Sequence, residues 1–160
     1  MKTYTESGAK FTFSIDVEKF DDYGLYKRFK SYALKGVDFV FRSNGRVVLM
    51  EVKSRQEQEE LNDTFAKFLH TLLLISPVWL KLPEADGRLR KLIGKSRDGK
   101  DIVLCITGGI SPDRINGLQE QLKRIIKRTS IEQMFNCRVQ VVDIEGLNRV
   151  YSPTIETKRV

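Results

Sequence analysis

Two acidic residues and one lysine are spaced so that they would meet at one end of a β-hairpin. Asp38 lies in a first apolar run, Glu51-Val52-Lys53 ends a second one, and Asn44-Gly45 separates the two runs. Asn-Gly favours a two-residue hairpin turn, because both turn positions need positive φ. A turn at these two residues places Asp38 directly opposite Glu51, with Lys53 on the same face of the hairpin.

The facing carboxylates of Asp38 and Glu51 repel each other unless a proton or a cation lies between them. Mg²⁺ suits this position because it is held by one or two carboxylates together with waters and a phosphate, and Mn²⁺ could substitute for it. The ammonium group of Lys53 could orient an attacking water or hold the phosphate. The three residues therefore predict metal-assisted hydrolysis of a phosphodiester. A salt bridge between Lys53 and one of the acids is the structural alternative.

The segments that must position these residues indicate an α/β chain. Both faces of the hairpin are largely apolar, which is typical of central strands rather than of a solvated ribbon. Alternating apolar residues predict a strand over residues 10–18, and continuous apolar runs predict two more over residues 101–107 and 138–144. Residues 21–33 fit either a short helix or a tyrosine-rich loop.

Helix signals fall between these predicted strands. The capping-box pattern Ser54-Arg55-Gln56-Glu57 predicts a helix that begins directly after Lys53 and ends at Ser76-Pro77. Residues 89–93 predict a single helical turn within a polar loop. Ser111-Pro112 predicts the start of another helix, with serine as the N-cap and proline at the first helical position. Because a strand, a helix and a strand follow one another here, we expect parallel pairing of the two strands.

The composition predicts one domain and a polyanionic partner. The chain has 160 residues and a formal net charge of +7, which fits a single domain over residues 1–150 followed by a polar tail over residues 151–160. A strong positive charge suits a nucleic-acid partner. We expect contacts with its backbone from the basic residues of one predicted loop, namely Arg88, Arg90, Lys91, Lys95 and Arg97.

Several features predict a cytoplasmic protein with no membrane partner. No apolar stretch is long enough to cross a bilayer, and the first residues lack the apolar core of a signal peptide. Cys105 and Cys137 have no metal-ligand spacing, so we expect both to be reduced core residues.

The order of the predicted elements resembles the PD-(D/E)xK superfamily of restriction-endonuclease-like nucleases. The resemblance covers about residues 11–106 and rests on Asp38 in the first hairpin strand and on Glu51-Val52-Lys53 in the second. The chain has Val37 where many members have proline. The tail contains the same E-x-K spacing in Glu156-Thr157-Lys158, but without a hairpin, so the value of the motif lies in its surroundings.

The resemblance implies an α/β fold in which an antiparallel hairpin meander is followed by parallel strands in one mixed sheet flanked by helices. It also implies a divalent-metal-dependent nuclease that acts on DNA in restriction, repair or phage defence. Asp38, Glu51 and Lys53 would be catalytic, and the Val52 carbonyl would join the two acids in holding the metal. Glu18 is a candidate for the upstream acid of many members, and Gln56 resembles a glutamine that some members place after the motif.

Two other interpretations stay open at the level of sequence. The first is a catalytically inactive relative that binds nucleic acid or serves as an accessory subunit, since fold and activity separate in this superfamily. The second is a metal-free protein-interaction domain. Double-strand cleavage would favour a homodimer, because one small site cuts one strand at a time.

Overall fold

A computed structural model of the chain describes residues 1–29, 34–79, 87–94 and 98–160, which form two β-sheets and six α-helices. The strands are β1 (Lys2–Glu6), β2 (Ala9–Phe13), β3 (Val17–Lys19), β4 (Phe39–Ser43), β5 (Arg46–Lys53), β6 (Lys100–Ile106), β7 (Cys137–Asp143) and β8 (Ile155–Arg159). The helices are α1 (Gly24–Phe29), α2 (Leu61–Trp79), α3 (Gly87–Ile93), α4 (Pro112–Arg128), α5 (Ile131–Phe135) and α6 (Ile144–Tyr151). None of the helices in the described ranges has the length and apolar character of a bilayer-spanning segment.

The larger sheet has five strands in the order β3-β4-β5-β6-β7. Its first three strands pair antiparallel, whereas β5, β6 and β7 pair parallel. Helices lie in the connections between the parallel strands: α2 and α3 between β5 and β6, and α4 and α5 between β6 and β7. Every residue of β6 is buried, as is typical of a parallel strand covered on both faces. The predicted mixed α/β architecture is confirmed in this general form.

The β4–β5 hairpin has the predicted turn and register. Asn44 and Gly45 have positive φ values of 49° and 76°, and the pairs run from Ser43 opposite Arg46 to Phe39 opposite Met50. The next pair in this register is Asp38 with Glu51. The register therefore puts both acids at the end of the hairpin away from its turn.

Two apolar layers enclose the larger sheet. One face, which includes Val40, Leu49 and Leu104, packs against α2, α3 and α4. The other face, which includes Phe39 and Met50, packs against α6 and the smaller sheet of order β1-β2-β8. Because side chains alternate along β5, Glu51 and Lys53 lie on the same face as Leu49 and point towards α2.

The prediction of one strand over residues 10–18 is wrong, because these residues belong to two different sheets. β2 lies in the smaller sheet and β3 in the larger one. The chain bends at Ser14, whose N–H donates to the Thr154 carbonyl at 3.1 Å. The apolar alternation continues across the bend because Phe13 and Val17 are buried in the same layer.

The helix after the hairpin begins and ends later than predicted. Residues 54–57 form a loop, and α2 starts at Leu61. The buried Gln56 amide ties this loop to the helix, since its Oε1 accepts a hydrogen bond from Thr64 Oγ1 at 2.8 Å. At the other end Pro77 lies inside the last turn rather than after it.

The prediction of a loose polar tail after residue 150 is also wrong. β8 pairs antiparallel with β2, so that the smaller sheet includes the end of the chain. Tyr151 and Ile155 are buried in the layer between the two sheets. The remaining predicted elements are confirmed: α3 contains the turn over residues 89–93, Ser111 caps α4 through its hydroxyl, and β6 and β7 are parallel.

Candidate active site

Glu51 is the buried centre of the candidate site, with only 1% of its side chain exposed. Its Oε1 accepts a hydrogen bond from Lys67 Nζ and lies 3.4 Å from Lys53 Nζ. Its Oε2 is buried and has no hydrogen-bond partner among the described residues. Burial raises the pKa of the Glu51 carboxyl above its ordinary value, although both lysines act to lower it. A buried oxygen of this kind normally has a partner, so Oε2 is an available ligand atom.

Asp38 lies beside Glu51 at the end of β4. Its Oδ2 accepts a hydrogen bond from the Val52 N–H at 2.7 Å, and its carbonyl accepts one from the Phe20 N–H at 2.9 Å. These two bonds fix the end of the strand between its neighbours. Burial, and next the negative charge of Glu51, raise the pKa of Asp38 to about 7. The two carboxyl groups therefore retain a proton near neutral pH that a cation could replace.

Lys67 enters the site from α2 and was not among the predicted site residues. Burial by itself would lower the pKa of Lys67, but the charge of Glu51 and the hydrogen bond to it outweigh burial and raise that pKa. The ammonium group is therefore a fixed positive charge on the carboxylate. A signal for it exists in the sequence, because Lys67 follows Asp63 by four residues on the polar side of an otherwise apolar helix.

A cavity of about 160 Å³ opens beside these residues. Three lysines line it, namely Lys35, Lys53 and Lys67, together with Glu60, Asp63 and Thr64. The strand leading to Asp38 is anchored to α2 at this point, since Val37 N–H donates to Thr71 Oγ1 at 3.0 Å. The cavity thus presents ammonium groups next to a pair of carboxyl groups, an arrangement that suits a phosphate.

Comparison of the chain with protein-family models, with curated proteins and with solved structures finds no match. The assignment of this site therefore rests on its geometry.

The geometry fits a divalent cation with few protein ligands. Across the described ranges no group of three or more His, Cys, Asp or Glu residues comes together as a metal cluster. Asp38 and the free Oε2 of Glu51 supply two carboxyl groups, which matches the preference of Mg²⁺ for one or two carboxylates with several waters.

Gln56 and Glu18, the two additional candidates from the sequence, lie outside the carboxyl pair. Gln56 uses both ends of its amide within the protein, because Oε1 accepts from Thr64 and Nε2 donates to the Glu57 carbonyl at 2.9 Å. It holds the loop after the motif rather than facing the cavity. Glu18 lies on β3 opposite Val40, which pairs with Leu49, so its Cα is about 12 Å from that of Glu51, two strand spacings across the sheet and two residues along it.

The Val52 carbonyl, a predicted metal ligand, accepts a hydrogen bond from Ser7 Oγ at 3.3 Å. This bond comes from the turn between β1 and β2. A carbonyl oxygen has two lone pairs, so the hydroxyl leaves one for a further partner.

The part of the predicted nucleic-acid-binding segment that the structure describes, α3, packs on β4 near the turn of the hairpin. Lys91 lines a small cavity with Arg42 and Asp16, and Arg42 Nη2 donates to Asp98 Oδ2 at 2.8 Å. Arg42 is four residues from Asp38, about 13 Å along an extended strand. Arg90 and Lys91 are exposed on α3, Arg88 belongs to the same helix, and Lys95 and Arg97 lie outside the described residues. Binding by this segment stays a prediction, and α3, the part of it that the structure describes, lies away from the carboxyl pair.

Proposed function

We propose that this protein is a divalent-metal-dependent nuclease with a restriction-endonuclease-like fold that hydrolyses phosphodiester bonds in DNA. The observation that carries the proposal is the buried Oε2 of Glu51 beside the Asp38 carboxyl, for which the described part of the chain offers no hydrogen-bond partner. Such an atom is costly to bury without a ligand, and a divalent cation is the ligand that two carboxyl groups favour.

The architecture supports the same proposal. An antiparallel three-stranded segment is followed by two parallel strands in one sheet, and α2 lies in the connection that follows the hairpin. This is the element order that the resemblance to the PD-(D/E)xK superfamily implies. Fold alone does not determine activity, so the chemistry of the site carries the functional part.

Each residue of the site has a distinct role in this proposal. Asp38 and Glu51, with the remaining lone pair of the Val52 carbonyl, would hold Mg²⁺ or Mn²⁺, which supplies positive charge that polarises the phosphate ester. Lys53 Nζ, with 35% of its side chain exposed, would donate a hydrogen bond to the attacking water or to a phosphate oxygen. Hydrolysis forms a bond between the water oxygen and phosphorus and breaks the ester bond to the leaving oxygen. Negative charge that develops on the phosphate is stabilised by the neighbouring ammonium groups.

Lys67 is a positioning residue in this scheme. Its bond to Glu51 Oε1 orients the carboxyl group, so that the other oxygen is the one available to the cation.

The direct test compares two lysines that each occupy the third position of an E-x-K triplet, Lys53 and Lys158. Purified protein is incubated with Mg²⁺ and linear, circular and branched DNA and RNA, and the cleavage rate is measured for Lys53→Ala and Lys158→Ala. Lys158 follows Glu156-Thr157 on β8 and forms an exposed ion pair with Glu156 at 2.8 Å. We expect Lys53→Ala to lower the rate by about a thousandfold and Lys158→Ala to leave it unchanged.

Cleavage that survives Lys53→Ala or Asp38→Ala would contradict the proposal. Binding of DNA with no cleavage by the wild-type protein under any of these conditions would favour the inactive, nucleic-acid-binding relative instead.

A further inference from the structure

A second charged cluster lies directly after the motif and consists of Arg55, Glu57 and Arg114. The Glu57 carboxylate accepts a hydrogen bond from Arg55 Nε on Oε1 and another from Arg114 Nη2 on Oε2. All three side chains reach solvent, with exposed fractions of 80% for Arg55, 46% for Arg114 and 36% for Glu57. One small anionic group is thus held between two guanidinium groups at the surface.

The backbone beneath this cluster is rigidly placed relative to the candidate active site. Thr107 N–H donates to the Lys53 carbonyl at 2.8 Å, and Gly108 N–H donates to the Ser54 carbonyl at 3.0 Å. A side chain at Gly108 would not fit, because an added Cβ would lie 2.2 Å from the Ser54 carbonyl oxygen. These hydrogen bonds therefore hold the end of β5 and the loop after β6 together as one rigid surface.

A cavity of about 390 Å³ lies at this surface, and its lining includes Arg55, Gly109 and Arg114. Arg114 is held in place by a bond from its Nη2 to the Gln56 carbonyl at 3.2 Å. Arg55 is two residues beyond Lys53, at most about 7 Å along the chain, whereas neighbouring phosphates of one strand advance by about 3.4 Å along the helix axis. The cavity is therefore within one or two nucleotides of the candidate active site.

We propose that Arg55 and Arg114 form a subsite for a backbone phosphate of the nucleic-acid strand, next to the phosphate that is cleaved, and that Glu57 fills this subsite until the strand displaces it. The proposal rests on the nuclease function proposed above. Two guanidinium groups around one anion are the arrangement that recognises phosphate as well as carboxylate. Glu57 is suited to be displaced because it lies on a loop and its side chain is about one-third exposed.

Glu57 can compete with a phosphate for the two guanidinium groups because its carboxylate is negatively charged. Its hydrogen bond from Arg55, and next that from Arg114, hold the pKa of the Glu57 carboxyl below its ordinary value. The group is therefore an anion throughout the neutral range, and an incoming phosphate must replace it.

The test measures binding of a short fluorescein-labelled DNA duplex and of its single strand in a Lys53→Ala background with Mg²⁺, so that the strand stays intact. Glu57→Gln is compared with Glu156→Gln, which removes the same charge from an exposed ion pair with Lys158 on β8. We expect Glu57→Gln to tighten binding about three- to tenfold, and Glu156→Gln to change it by less than about twofold. Arg114→Ala should weaken binding about tenfold and lower the salt dependence by about one phosphate contact.

Equal effects of Glu57→Gln and Glu156→Gln would overturn the subsite, because net charge alone would then explain both. The nuclease proposal would still stand in that case if the wild-type protein cleaves DNA. A protein that binds neither probe, and whose wild type cleaves nothing, would overturn the subsite and the proposed function together.

Discussion

Two buried carboxylates at opposite ends of the larger sheet have opposite surroundings. Asp101, near the turn end of the hairpin, is contacted by Arg46 Nε, by Arg138 Nε at 3.0 Å and Nη2 at 3.2 Å, and by the Tyr151 hydroxyl at 3.5 Å. Both of its oxygens have donors. Glu51, at the other end, has two lysines on one oxygen, whereas its other oxygen has no partner in the ranges that the structure describes.

This difference distinguishes a structural ion cluster from the acid pair that we propose as a cation site. At Asp101 the donors are planar guanidinium groups and a hydroxyl, and burial raises the pKa of Tyr151 so that it stays a donor. At Glu51 a second acid, Asp38, lies close enough to raise the energy of both charges. Buried acids that lie this close together and have raised pKa values are typical of functional sites.

The largest stability effect is expected at the closed cluster. Asp101→Asn would leave the Arg46 guanidinium, with 17% of its side chain exposed, without a counter-ion, and we expect a loss of about 3–5 kcal/mol in the free energy of unfolding. Glu51→Gln also takes a counter-ion from Lys67, whose side chain is 23% exposed. It removes the repulsion between Glu51 and Asp38, however, and Asp38 stays as a negative charge near Lys67, so we expect a smaller loss of about 1–2 kcal/mol. Urea-induced unfolding at neutral pH measures both. Equal losses for the two variants would mean that Glu51 is as structural as Asp101.

A smaller, pH-dependent effect is expected for Asp38. Its pKa is about 7 in the folded protein against 3.8 for the unperturbed group, so the folded state binds the proton more tightly. The stability from this group is present below about pH 4 and is lost as the pH rises to about 7. The Asn side chain of Asp38→Asn does not ionise, so this variant keeps its stability as the pH rises. Its free energy of unfolding should exceed that of the wild type by about 1–3 kcal/mol at pH 8 and equal it near pH 4.

Unfolding in urea over this pH range, with a chelator to remove divalent ions, provides the measurement. A stability difference between Asp38→Asn and the wild type that does not change with pH would show that Asp38 ionises normally.

The part of the site on the hairpin could be predicted because its determinants are local. Asn44-Gly45 fixes the turn, the turn fixes the register, and the register brings Asp38 to Glu51. A shift by one residue would have moved Asp38 to the opposite face. The triplet at Glu156 has the same spacing, but on a strand of the smaller sheet it meets no facing acid.

The remaining parts depend on tertiary contacts that residue patterns do not encode. Lys67 reaches Glu51 only because α2 crosses the face of β5. The capping-box pattern at Ser54 did not start a helix, because the contact of Gln56 with Thr64 holds these residues in a loop. The tail became a strand because β2 offered an unpaired edge. The basic residues before β6 were predicted to contact nucleic acid, but their pattern did not indicate that α3 packs on β4 and that Lys91 lies beside Arg42 near the turn.

Calorimetric titration with Mg²⁺ and Mn²⁺ tests the central claim most directly, because it measures whether the end of the sheet that carries Asp38 and Glu51 binds a cation. We expect binding to the wild-type protein at pH 8, and weaker binding that is accompanied by release of protons as the pH falls below about 7, where Asp38 is protonated. Glu51→Gln should abolish it, whereas Glu156→Gln should leave it unchanged. Absence of binding to the wild-type protein even with DNA present, or equal binding to Glu51→Gln, would contradict the account.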